Sequence, residues 1–395
     1  MLMEKKLVSV ANKIDAEATL KLEKKLLEKL KARARPLRIM HICGTHERAI
    51  TKHGLRSVLP EELEVLSGPG CPVCVTPEKD IDLAIALARS GAVVVTFGDM
   101  LRVPGSAGSL LDAKAQGADV KMVYSVDDAV KVAEKFPEKE VVFFGIGFET
   151  TVPSNAAALL RGVPENFSFL ASQKRTPPAI DLLTKDIKVD AFIAPGHVAT
   201  IIGTKPFEPF AKKGFPVVVS GFEARDILLG INLLLKQFEE GKARVDNGYP
   251  RVVKPEGNVI ALEMMEEVFE TGPAEWRGIG QIEASGLSLR KEFEAQDAAK
   301  QHRDLYEKAL EAIREKADKQ DKTKKNCICA SILTGKAQPT ACPLFGTVCT
   351  PKTPTGPCMV SLEGMCHSWF KYNRKARVEK SRPKKDKKAG GPEDA

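Results

Sequence analysis

Six of the nine cysteines in this 395-residue chain fall between Cys327 and Cys366. In that stretch Pro339, Pro343, Pro351, Pro354 and Pro357 alternate with Gly335, Gly346, Gly356 and Gly364. Proline removes backbone donors, and both residue types interrupt helices and strands, so regular hydrogen-bonded structure is not expected to hold these loops in place. A metal centre is the natural substitute, because ligand binding and folding are then one event. Cys327, Cys342, Cys349 and Cys366 are separated by 14, 6 and 16 residues, with Cys329 and Cys358 as extras. Four thiolates can ligate a [4Fe–4S] cube or one tetrahedral zinc. Structural zinc usually brings paired C-x2–4-C knuckles, which this segment lacks, and the spacing tilts toward iron–sulfur. Cys329 stands close enough to Cys327 to replace it as a ligand, and Cys358, in Pro-Cys-Met-Val, is expected to be a small buried hydrophobe.

The other three cysteines lie near the front of the chain. Gly68-Pro69-Gly70-Cys71-Pro72-Val73-Cys74 is a CxxC held between prolines and glycines. Such a dithiol cycles through a disulfide or binds a soft metal, and without a second CxxC to complete a zinc knuckle, redox exchange is the better reading. His41-Ile42-Cys43-Gly44-Thr45-His46-Glu47 places a thiol and an imidazole three positions apart. Cys43 and His46 suit an iron site, or a nucleophile with its base; the plain alternative is a core thiol and a helix cap.

From Pro36 to about Asn247 short apolar strands alternate with helical stretches, the βαβ signature of parallel sheets covered by helices, and the length suits two such units. Five apolar runs end in Gly or Pro-Gly with a polar residue close behind. They are LRIMHIC before Gly44, AVVVTF before Gly98-Asp99, VVFFGI before Gly147-Phe148-Glu149, DAFIA before Pro195-Gly196-His197, and FPVVVS before Gly221-Phe222-Glu223. In open α/β sheets ligands bind outside the carboxyl ends of the strands, so a shared crevice is expected there, with Asp99, Glu149, His197 and Glu223 as secondary candidates. The repeated Gly-Phe-Glu is weak support for an internal duplication. Amphipathic helices are expected over residues 14–34 and from about Phe293 to Lys319. No Walker A or GxGxxG pattern gives a warrant for nucleotide binding.

Charge and composition narrow the function classes. The chain carries 60 Lys/Arg and 52 Asp/Glu, but residues 371–395 alone hold ten and four, leaving 50 against 48 on the body. That distribution suits a solvated, disordered tail on a neutral protein, so no nucleic-acid partner is expected. No apolar run approaches the roughly 18 residues a spanning helix needs, so no membrane partner is expected either. An odd thiol count and an N-terminus without a signal-peptide pattern argue against a secreted disulfide framework, and a cytoplasmic location is expected.

Taken together, CGTHE (43–47), GPGCPVC (68–74), TFGDMLRVPGS (96–106), IGFETTVPSNA (146–156), PGHVATIIG (195–203), GFEARDIL (221–228), WRGIG (276–280) and CPLFGTVCTPKTPTGPCMVSLEGMC (342–366) resemble the HypD family of hydrogenase maturation proteins. The resemblance covers about residues 36–372. It implies two parallel-sheet α/β domains facing a cleft, expected over 36–120 and 121–247. It also implies a third, mostly helical and irregular iron–sulfur domain from 1–35 plus 248–372, followed by the basic tail at 373–395. The implied role is assembly of the Fe(CN)2CO unit of [NiFe]-hydrogenases, on a scaffold that binds HypC and receives cyanide from HypE. By motif match Cys43 and His46 are the implied iron-handling residues, and Cys71 and Cys74 the redox pair. Cys327, Cys342, Cys349 and Cys366 are the implied ligands of a [4Fe–4S] cluster, and an iron carrying CN and CO would be held transiently. Two other classes compete: a stand-alone, cluster-dependent thiol–disulfide oxidoreductase, and a Cys/His hydrolase using Cys43 with His46 or His197.

Overall fold

The computed structural model describes residues 28, 30–106, 108–318 and 326–373. The helix expected over 14–34 lies outside the described residues up to residue 27, as does the basic tail beyond Asn373. Strands β1 (Leu37–His41), β2 (Leu63–Ser67), β3 (Val93–Thr96), β4 (Val120–Met122), β5 (Val141–Gly147), β6 (Phe167–Lys174), β7 (Ala191–Pro195), β8 (Val217–Ser220), β9 (Val245–Asn247), β10 (Phe269–Trp276) and β11 (Gly280–Leu289) make two sheets. All five glycine-terminated apolar runs are strands. Their Val-rich cores, such as Val93–Val95 and Val217–Val219, are fully buried, as strands covered on both faces must be.

The first sheet is parallel throughout, in the order β2-β1-β7-β8-β9. The second runs β10-β11-β6-β5-β3-β4, parallel from β6 to β4 and antiparallel at β10 and β11. In each sheet the strand order reverses once, between β1 and β7 and between β3 and β5. Such a reversal opens a crevice at the carboxyl ends of the two diverging strands. The residues that follow those four strands are Cys43–His46, Gly196-His197, Gly98-Asp99 and Phe148-Glu149, so the topology alone puts the candidate residues where α/β sheets bind ligands.

The sheets are not shared out along the chain as 36–120 and 121–247. β1 and β2 share a sheet with the later strands β7–β9 through the β1–β7 pair, while β3 and β4 share one with β5 and β6 through the β3–β5 pair. The segment after residue 248, expected to be mostly helical or irregular, also carries β10 and β11, which form a hairpin that joins β6 through Gly286 to Lys174 and Leu287 to Gln173. Sequence reading missed that hairpin because β10 is largely exposed and interrupted by Gly272-Pro273, so its apolar period is faint. The helix expected from Phe293 is also broken. Asp297, in extended backbone, accepts the N–H groups of Ala299 and Lys300, and the long helix begins only at Arg303.

The helices include α1 (Gly44–His53), α2 (Pro72–Val75), α3 (Ala224–Glu240), α4 (Arg303–Asp318), α5 (Pro357–Val360) and α6 (Met365–Tyr372). A single apolar core includes Met40 and Ile42 of the first sheet, Val94 and Val142 of the second, both CxxC cysteines, and Cys342, Cys349, Cys358 and Cys366. Helix α6 packs on α1, and α5 packs on α2.

Candidate metal and thiol centre

Cys43 is the N-cap of α1, in extended backbone directly after β1. It is buried. Burial, reinforced by the Glu363 carboxylate, pushes its thiol up to about 12, against the pull of the His46 and Thr45 amides. The thiol is therefore protonated at neutral pH, and a soft cation that binds it must displace the proton. Glu363 comes this close because position 44 is glycine: a Cβ there would sit 2.6 Å from the Glu363 Cβ. Thr45 Oγ1 donates to Glu363 Oε1 at 2.8 Å. Burial holds Glu363 itself above the ordinary carboxylate range.

His46 lies one turn into α1 and is fully buried. Its Nε2 is 2.9 Å from the Gly221 carbonyl and 3.3 Å from that of Ser220, while Nδ1 has no hydrogen-bond partner. Burial, with His41 nearby, lowers its pKa to about 3, so the ring is neutral. Behind it Glu47 is a hub. Its carboxylate takes both guanidinium nitrogens of Arg56 (2.9 and 2.6 Å), the Thr51 hydroxyl (2.6 Å), His41 Nε2 (2.9 Å) and the Trp369 indole N–H (2.9 Å). Trp369 belongs to α6, so this carboxylate ties the cysteine-rich segment to the helix that carries His46.

The CxxC loop is strung along the same strand end. Gly68 donates to the His41 carbonyl at 2.8 Å and Gly44 to the Gly70 carbonyl at 3.0 Å, and a Cβ at Gly70 would overlap the Cys43 amide. Only glycine allows this approach. Cys71 and Cys74 form a disulfide, with Cα atoms 5.3 Å apart, and Cys71 caps α2 by accepting the Cys74 N–H at 3.2 Å. Both are buried, at 4% and 0% exposure, so a bulky disulfide partner has no direct access.

On the far side of α2 all six C-terminal cysteines line one pocket, together with Ile332, Phe345, Gly356 and Met359. The four expected ligands Cys327, Cys342, Cys349 and Cys366 are thus brought together. Cys329 and Cys358 are there too, their sulfurs 2.8 Å apart, so Cys358 is a member of the sulfur pocket as well as a buried side chain. Among the described residues no three His, Cys, Asp or Glu side chains converge to hold one metal ion. Burial raises the Cys366 thiol well above its ordinary value, and the neighbouring Cys329 and Cys349 add to it. Crowded, desolvated sulfurs of this kind ionise readily only when a positive centre binds them, and a set of cysteine donors is compatible with a cluster.

The secondary candidates separate. Asp99 acts electrostatically on Glu363 and His367, close to Cys43. His197 is exposed and stacks on Phe222, ring centres 3.8 Å apart. Glu149 is buried and uses both oxygens on the Thr176 N–H (2.7 Å) and hydroxyl (2.8 Å), a brace for the next helix. Glu223 is exposed and pairs with Arg225. Sequence reasoning gave no role to Glu363, Arg277 or Phe222, although each stands inside a motif it singled out. The backbone N–H of Arg277 donates to Val75 at the end of α2 (2.8 Å), and its guanidinium reaches Pro104 O (2.8 Å) and Glu78.

The two α/β sheets thus carry a buried thiol and imidazole, a disulfide and a pocket of six sulfurs. The family model HypD, described as the hydrogenase formation hypA family, matches residues 19–373. The chain is 47% identical over 353 residues to a putative hydrogenase expression/formation protein of Methanocaldococcus jannaschii, covering 88% of this chain and 95% of that one. It is 42% identical to the hydrogenase maturation factors HypD of Cupriavidus necator (89% and 95% covered) and Escherichia coli (88% and 95%). The chain belongs to the HypD family of hydrogenase maturation factors.

Proposed function

We propose that the protein is the scaffold on which the Fe(CN)2CO unit of [NiFe]-hydrogenase is assembled, with a HypC-type partner bound stably and cyanide delivered by a HypE-type protein. The observation that carries this reading is the unbroken order of sulfur chemistry. Cys43 abuts the CxxC loop through Gly44 and Gly70, and the CxxC helix α2 abuts α5, which carries Cys358 into the six-cysteine pocket. Iron(II) enters as substrate. Cys43 gives up its proton and supplies a soft anchor, and the neutral His46 offers a nitrogen lone pair without adding charge. The buried setting excludes water from ligands that water would displace.

Cys327, Cys342, Cys349 and Cys366 would hold a [4Fe–4S] cluster, which supplies single electrons. Reduction of the Cys71–Cys74 disulfide consumes two electrons and two protons and leaves two thiols; a low-potential one-electron donor must provide the electrons in sequence. This arrangement suits a protein that works inside a reducing cytoplasm. Among the described residues no helix is long and apolar enough to cross a membrane.

Two observations weigh against the competing classes. A hydrolytic cysteine needs a lowered pKa, and Cys43 has a raised one. A stand-alone oxidoreductase needs an accessible disulfide, and this one is sealed. The test is an infrared spectrum of the anaerobically purified protein with its HypC-type partner, alongside iron per chain. Metal-bound cyanide and carbon monoxide bands with more iron than one cube are expected. A single cube's iron and no such bands, with the HypE-type protein and a cyanide source supplied, would sink the scaffold role in favour of the oxidoreductase.

A further inference from the structure

We propose that the turn Ser220–Glu223, held from behind by the Asp226–Arg251 pair, is a positioning device that fixes His46 as its Nε2–H tautomer and leaves Nδ1 as the free lone pair of the site. The consequence for iron rests on the assembly reading, but the tautomer is a property of the metal-free protein.

The argument starts from what carbonyls can do. The Gly221 and Ser220 oxygens only accept, so the His46 nitrogen 2.9 and 3.3 Å from them must carry the proton. Nδ1 is buried and has no hydrogen-bond partner, so a second proton there would be a buried donor with no acceptor, and the one ring proton stays on Nε2. Leaving an acceptor buried and unpaired is costly. A backbone carbonyl on one ring nitrogen with the other left open is the arrangement by which proteins orient metal-binding histidines.

The turn is itself tightly specified. Asp226 accepts the Glu223 N–H at 3.3 Å and two N–H groups of Arg251 at 3.1 and 2.8 Å. Ser220 Oγ donates to the Asp226 carbonyl at 2.9 Å. Gly221 fits between these groups only because it lacks a Cβ, which would overlap the Asp226 carboxylate and come 2.8 Å from the Tyr249 ring. Phe222 then stacks on His46 at 4.9 Å and on His197 at 3.8 Å. Arg251 closes the assembly, its guanidinium 4.4 Å from the Tyr249 ring centre. Loosening Asp226 therefore moves the two carbonyls that hold the His46 proton.

The experiment uses metal-free full-length protein labelled with 15N-histidine. Long-range proton–nitrogen correlation spectra identify each tautomer, and His46→Gln assigns the signal among the six histidines. In the wild type, His46 is expected as Nε2–H at pH 7. Arg251→Met and Asp226→Asn should each lower the ratio of Nε2–H to Nδ1–H by about tenfold, the scale of one charge-assisted hydrogen bond. Arg251→Lys should recover most of it, and the histidines that do not contact the turn should not move. Arg251 is half exposed, so its variants test the idea even if Asp226→Asn does not fold. An Nδ1–H or doubly protonated His46 in the wild type, or an unmoved tautomer in Arg251→Met, overturns the proposal. A correct tautomer in a protein that never yields the cyanide and carbonyl bands would instead remove only the assembly reading.

Discussion

Cys43 and the six C-terminal cysteines are held by opposite means. Cys43 sits where a strand ends and a helix begins, with Gly44 bonded to Gly70, Glu47 bonded back to Cys43, and two close approaches that only glycine permits. The loop around Cys342 and Cys349 is held by short-range bonds: Cys349 N–H to Leu344 O at 2.9 Å, Gly346 N–H to Cys349 O at 3.1 Å, and Thr355 N–H to the Cys349 sulfur at 3.3 Å. The first site is therefore shaped by the fold before any metal arrives. The second gathers sulfurs whose proximity opposes ionisation, and in the reading proposed above a bound cationic centre would complete it.

That difference is sharpest in single-cysteine variants, where the expected effects are largest. Cys43→Ala should abolish assembly of the iron unit while leaving thermal stability and the cluster spectrum intact. Cys71→Ala and Cys74→Ala should do the same through loss of the redox pair. Cys342→Ala should also abolish maturation, but with loss of cluster iron and faster amide exchange across 327–366. Retention of the iron unit in Cys43→Ala would remove that thiol from the site. Equal loss of exchange protection in Cys43→Ala and Cys342→Ala would erase the contrast between the two regions.

Next in size is the joint between them. Glu47→Gln leaves Arg56, His41 and Trp369 around a buried neutral amide, and breaking a buried charge cluster in this way costs roughly 3–5 kcal/mol. Although burial works against ionisation, Arg56 and His41 hold the Glu47 carboxyl well below the usual carboxylate range. A depressed folded-state pKa contributes stability that is fully present above the unfolded value of about 4.5 and fades as pH falls below it. Urea unfolding from pH 7 to 3 should show that loss in the wild type and a flatter profile in Glu47→Gln; parallel profiles would refute the role. A smaller effect, about 1–3 kcal/mol of overpacking, is expected for Gly70→Ala, whose methyl group meets the Cys43 amide. Its signature is faster alkylation of Cys43, and wild-type alkylation would show that the loop does not abut the strand end.

The same contrast explains what was legible in the sequence. Apolar runs such as VVFFGI and FPVVVS read as strands because burial on both faces leaves a continuous hydrophobic signal, and the glycines after them mark the crevice. The gathering of Cys327, Cys342, Cys349 and Cys366 was legible from Pro/Gly content and thiol spacing, but that Cys358 would line the same pocket was not. Sheet membership was not, because β1 takes its second partner, β7, from about 150 residues away and brings β2 with it, and local pattern carries no information about that pairing. The hairpin β10–β11 was lost for a different reason: with Glu270, Thr271 and Glu283 facing outward, its period-two signal is buried in polar residues. Glu47 looked like one more acidic residue at a helix start, and only the fold brings Arg56 and Trp369 to it.

Arg277, at the tip of that hairpin, is where the framework site and the loop site meet. Its backbone N–H and guanidinium hold the end of the CxxC helix, the Pro104 loop and Glu78. Gly278, with φ of 75°, lets the tip press on the cysteine loop, where a Cβ would come 3.1 Å from Ala330 Cα. Its charge also acts on Cys327 and Cys358, opposing the burial and sulfur contacts that raise both thiols. A fixed positive charge favours the more negative, reduced state of whatever the sulfurs hold. Arg277→Gln should therefore make a reconstituted cluster harder to reduce, while Arg277→Lys, which keeps the charge but not the fork, should hold the wild-type potential and lose only the stability of the clamp. Because one charge near the pocket edge is partly screened, this shift should be the smallest of the effects expected here. A redox titration giving the same potential for Gln and wild type would mean that the hairpin joins the two regions mechanically and takes no part in the electron transfer proposed for them.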